Sequence, residues 1–182
     1  MVAPKQPLAP EKQVAWLNQH IPHRVRGAII GLPMTGAWLF PLVANAAAVR
    51  MDPVARHCIN NSVWEGRHIA LRWLIEFAGV YESNGIPVPT RNLRFPDTDM
   101  RIDRMAGGVV LDAMSKDAIP LALVYKGCSQ ASGHPTTDSD HPDISPLKLA
   151  EALQIIVEHL QRTIYNHTRL SLLDFTMRPQ VS

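Results

Sequence analysis

An all-α fold is predicted by this sequence: a helical bundle of four to six helices, two of them long. Three observations predict it. Apolar residues recur at three- and four-residue steps through most of the chain. Prolines and capping residues stand where those stretches begin. Alternation of apolar and polar residues, the signature of strands, is not convincing anywhere. A length of 182 residues suits a single domain spanning 1–182.

The elements follow in order. A first helix starts at Pro10 and runs to about His20, with Val14 and Leu17 on one side. Pro22 restarts it, and Val25, Ala28, Ile29 and Leu32 carry the apolar face onward. Residues 27–49 hold no charge and are long enough to span a bilayer, but are expected as a buried helical hairpin rather than a membrane segment. Pro33 and Pro41, with Gly27, Gly31 and Gly36, cut that stretch into pieces too short to span a bilayer. Asp52-Pro53 is a strong helix start, and no proline intervenes before Ala78. Gly79 supplies the C-cap of this longest helix. Residues 80–97 contain Asn84-Gly85, Pro87, Pro89 and Pro96 and are expected as an extended loop. Residues 98–132 favour helices, although Val109–Leu111 and Leu121–Tyr125 also suit short strands. Residues 133–146 form a loop of turn residues. Ser145-Pro146 then opens the last long helix, whose apolar stripe is Leu149, Leu153, Ile156, Val157, Leu160 and Ile164.

Composition narrows the function classes. Apolar residues are 46% and charged residues 19%, which excludes a disordered chain. A net charge of +2 is too small for the whole-chain field to attract polyanions. The basic residues are thirteen Arg and five Lys, and Arg is the better fork for carboxylate or phosphate. Cys58 and Cys128 make no spaced framework, so two thiols in a cytoplasmic protein are expected, without a membrane segment.

Four groups of residues are candidates for chemistry. The long helix carries His57, Asn61, Glu65, His68, Arg72 and Glu76 at steps of three and four, hence on one face. That stripe is either a solvated face with ion pairs such as Arg72 with Glu76, or one wall of a binding pocket between helices. Glu65-x-x-His68 has the spacing of a di-iron bundle, but no second Glu-x-x-His exists. Cys128, His134, Asp138, Asp140, His141 and Asp143 include zinc-ligand types, yet Cys-x5-His-x6-His fits no tight zinc motif, and no metal is expected. Trp38, Trp64 and Trp73 suit an apolar pocket or the core. Trp64 and Trp73 lie about 180° apart around a helix, so at most one faces such a pocket. No nucleophile elbow, phosphate loop or dinucleotide fingerprint is present, and no cofactor is expected.

The fourth group is Arg162-Thr163-Ile164-Tyr165-Asn166-His167. An Arg with a His five residues on resembles the Arg-x4–6-His motif of the HEPN superfamily. Those proteins are small all-α bundles, often dimeric, many of them ribonucleases or toxin and phage-defence components. The resemblance implies that Arg162 polarises a scissile phosphate and that His167 acts as acid, base or phosphate ligand. The segment from Lys126 to His134 resembles a degraded form of the same motif, in a layout covering roughly residues 53–167. That form implies a binding protein rather than a nuclease.

Three functions are therefore in view. The first is a non-enzymatic interaction or regulatory module that self-associates, a small bacterial protein of the kind carried on mobile gene cassettes. The second is a HEPN-like ribonuclease using Arg162 and His167, with RNA as partner. The third is a small-molecule binder with a pocket lined by Trp38, Trp64, Trp73 and the stripe of His57, Glu65, His68 and Arg72, while Lys126 and His134 are the binding candidates of the degraded motif. A homodimer suits the first two.

Overall fold

The computed structural model describes residues 7–29, 53–90, 100–133 and 144–166, with side chains for all of these except 53–61 and 130–133. These residues are mostly helical, and their only strands form one hairpin.

Helix α1 (Pro10–Ala15), a π-helical turn (Trp16–His20) and α2 (Ile21–Ile29) follow one another without a break. The expected restart at Pro22 does not occur. A proline ring inside a helix collides with the carbonyl four residues back. Here the Ile21 N–H reaches the Trp16 carbonyl, five residues back, and the widened turn makes room for the ring.

Helix α3 (Pro53–Ala78) is 26 residues long, with the bounds the sequence implies. Gly79 ends it in a left-handed conformation (φ 102°) with its N–H on the Glu76 carbonyl. The Val110 side chain occupies the space a Cβ at Gly79 would need, so geometry and packing both require glycine.

The loop expected over 80–97 is corrected for its first ten residues. Strands β1 (Val80–Ser83) and β2 (Ile86–Pro89) pair antiparallel, with Ser83 opposite Ile86. Asn84 (φ 55°) and Gly85 (φ 79°) have the two positive φ angles of the hairpin turn that matches strand twist. Pro87 and Pro89 alternate with Ile86 and Val88. In a two-residue hairpin whose closing pair is Ser83 and Ile86, they fall at positions whose N–H groups point away from the partner.

Residues 100–117 are also corrected. A helix was favoured there, but only a 3-10 turn (Ile102–Arg104) forms. Gly108 packs against the Ile102 carbonyl where any Cβ would overlap it. Val109–Leu111 forms no strand, and is tied down by the Leu111 N–H to the Ala78 carbonyl. Leu121–Tyr125 is helical, within α4 (Ala118–Gly133). Pro120 lies in the first turn of α4, where it breaks no hydrogen bond.

Helix α5 (Pro146–Leu160) begins as expected, with the Lys148 N–H donating to Ser145 Oγ at 3.4 Å. All six residues of its apolar stripe are buried. A second π-helical turn (Gln161–Tyr165) prolongs it.

Helix α3 packs against α2, α4 and α5; α4 also packs on α5, and the hairpin lies against α4. Leu71, Leu74, Ile75, Leu121, Ile156 and Leu160 form the centre of the core. No described helix is long and apolar enough to cross a membrane. The apolar hairpin expected over 27–49 lies outside the described residues beyond Ile29, as does the capping Asp52.

Candidate functional site

The polar stripe of α3 is not a uniform face. Glu65 is exposed, whereas His68 is only 2% exposed. Arg72 and Glu76 are half-buried and turn toward α4. The His57 side chain, His134 and His167 lie outside the described residues, so five of the eight candidate residues have a described side chain.

Arg72 and Glu76 stand one helical turn apart, and Arg72 Nε donates to Glu76 Oε1 at 3.3 Å. Tyr125 of α4 donates its hydroxyl to the same oxygen at 2.7 Å. The Arg72 guanidinium also lies 5.4 Å from the centre of the Tyr125 ring, and Tyr81 of β1 meets that ring edge-on. Burial raises the Tyr125 pKa, and its bond to Glu76 raises it further, to about 12. Burial opposes the charge on Arg72, but Tyr125 and Glu76 outweigh it and raise its pKa. Cys128, one turn beyond Tyr125, is a fully buried thiol. Burial pushes its pKa to about 12 against the attraction of Arg67 and Arg72. The seam between α3 and α4 thus holds a neutral phenol, a neutral thiol and a closed carboxylate–guanidinium pair. Its thiol is not a stored thiolate nucleophile.

His68 donates from Nδ1 to the Trp64 carbonyl at 2.6 Å, and its ring lies 4.0 Å from the Trp64 ring. Burial lowers its pKa, so it stays neutral at pH 7. Lys126 is exposed and points about 100° around α4 from Tyr125, away from this seam. The six proposed binding residues are therefore not gathered in one place among those described. His68 and Arg72 flank the seam, and Glu65 and Lys126 face water.

The Arg162–His167 pairing implied by the HEPN resemblance meets a different neighbour. Arg162 is exposed, and its guanidinium donates to His159 Nδ1 at 3.5 Å, one turn back on the same helix. His159 is buried and donates from Nε2 to the Val109 carbonyl at 2.7 Å. Both contacts fit one neutral tautomer, and burial lowers the His159 pKa. The π-helical turn rotates Tyr165 inward, where its hydroxyl donates to the Leu17 carbonyl at 2.7 Å. A five-residue spacing read on a regular α-helix does not anticipate that widening.

An aromatic strip joins the first helical stretch to α3. Trp16, Trp73 and Phe77 lie with ring centres 5.2–6.0 Å apart and planes within 14° of parallel. The Trp16 and His20 ring centres are 5.0 Å apart, and the Arg24 guanidinium is 5.4 Å from the centre of Trp73. Trp64, on the opposite side of α3, takes no part, as the 180° separation requires.

Tyr125, His159 and Trp16 were not among the candidate residues. The Tyr125–Glu76 bond spans 49 positions and leaves no local signal. His159 does leave one: it falls in line with Ala152 and Thr163 at the rim of the apolar stripe of α5. Among the described residues no group of three or more His, Cys, Asp or Glu is placed to hold a metal ion. The loop cluster from His134 to Asp143 lies outside them. No protein-family model, curated protein or solved structure matches this chain.

Proposed function

We propose that this chain closes as a bundle of four to six helices and works in the cytoplasm as a non-enzymatic interaction module that pairs with a second copy of itself. One observation carries the proposal: α4 presents Ile119 and Leu123, 57% and 53% exposed, one turn apart on its outer face. Two large aliphatic side chains at i and i+4 form an apolar strip that water solvates poorly. Crossing two α4 helices about a two-fold axis buries each strip against its own copy, the self-complementary arrangement most homodimers use. The chemistry of the α3–α4 seam supports binding over catalysis, because its titratable groups are held neutral or paired.

Burying a Leu or Ile contributes about 1.5–3 kcal/mol, and half of each side chain here is already shielded, so a weak dimer is expected. Light scattering across a concentration series tests it. The wild type should gain mass in the high micromolar range, and Leu123→Glu should remain a monomer. A wild type that stays monomeric there removes the proposal.

A further inference from the structure

We propose that the Trp16–Trp73–Phe77 strip, with His20 and Arg24 beside it, is a docking site for single-stranded nucleic acid. Phe77 is the buried floor of the strip, while Trp16 and Trp73 are only partly buried. Parallel rings with open area are what an unpaired base stacks on, whatever its identity. Arg24 supplies the charge. Its guanidinium rests on the Trp73 ring and forms no ion pair with any described residue, so its donors are open to a phosphate. His20 and Arg24 are one turn apart, each a planar polar group over one of the two tryptophans.

The surroundings match a polyanion. Lys12, Trp16, His20 and Arg24 stand at four-residue steps along the first helical stretch, and Glu11 is the one acidic residue of 10–29. The line of α3 that leads to the strip, through Gly66, Ala70, Trp73 and Phe77, holds no carboxylate. The strip is built on α1, the first π-helical turn, α2 and α3. It does not involve the Ile119–Leu123 face of α4, so the two proposals succeed or fail separately.

The test is fluorescence anisotropy with a labelled oligouridylate of about twelve nucleotides, within the usual span of one site. The wild type should bind it saturably. Arg24→Gln and Trp16→Leu should each weaken binding about tenfold, and Lys148→Gln, a change of an exposed cation on α5, should not. An unlabelled single strand should compete, whereas a duplex of equal length should not, because its bases are already stacked. Three results overturn the proposal: no saturation below about 100 µM, the level of non-specific attraction; Arg24→Gln binding as the wild type does; or the duplex competing as well as the strand. Trp16 also packs the helices together. Circular dichroism therefore accompanies each variant, and Arg24→Gln decides the matter if Trp16→Leu fails to fold.

Discussion

Glu76 Oε1 accepts from both Tyr125 and Arg72, and this shared oxygen links the two helices of the seam. Tyr125→Phe removes one of the two bonds and leaves the half-buried carboxylate its guanidinium. The expected loss is about 0.5–1.5 kcal/mol in urea denaturation. The pH dependence has a definite sign. The folded-state pKa of Tyr125 lies above its ordinary value of 10, at about 12. Between those values the unfolded chain releases the phenolic proton and the folded chain keeps it, so stability falls as pH rises through that window. Tyr125→Phe should flatten the fall. The histidines act at the other end of the scale. Burial holds His159 below its ordinary 6.5, so the stability it contributes is present above that pH and is lost as pH falls. His159→Gln keeps a donor for the Val109 carbonyl, and its melting temperature should depend less on pH below about 6.5 than the wild type's. Cys128 should resist alkylation at pH 8 until the chain unfolds, measured by peptide-resolved mass spectrometry; ready modification of the native protein would show that the thiol is not sealed. Sequence spacing indicated that Arg72 and Glu76 would meet. It could not indicate Tyr125, because that partner depends on how two distant helices pack.

At the scale of elements, the long helices were legible because their signals are local. A capping Ser145 with Pro146, and Gly79 after Ala78, mark boundaries by sterics and orphan hydrogen bonds within a few residues. The hairpin was hidden by its own prolines. Pro87 and Pro89 argue against a strand unless their register is known, and register is a property of the pair. Asn84-Gly85 did carry the turn, and its conformation yields a prediction. Gly85→Ala meets no neighbour within 4 Å but must hold a positive φ, so it should cost about 1–2 kcal/mol by denaturant unfolding. A neutral result would mean the turn relaxes to another type. The π-helical turns were also illegible: Pro22 follows the first, but a proline there predicts a break as readily as a widened turn, and nothing in composition marks the second. They matter because they place Trp16 in the strip and turn Tyr165 into the core.

At the scale of the molecule, α3 organises the rest: α2, α4 and α5 pack around it, and the aromatic strip and the polar seam lie on different sides of it. The sequence showed a helical chain with a leucine-rich interior, since burial follows the three- and four-residue periodicity. It did not show which apolar residues stay outside. Ile119 and Leu123 belong to a helix that is apolar nearly all round, so periodicity assigns them no face. That outer pair is the basis we propose for self-association. The most direct measurement is an isotope-filtered NOE experiment on a mixed sample, with one half of the copies carrying labelled methyl groups and the other half unlabelled. Cross-peaks between the Ile119 and Leu123 methyls of different copies, lost on Leu123→Glu, are the predicted result. Their absence in a concentrated wild-type sample, or their persistence in the variant, would contradict pairing through α4.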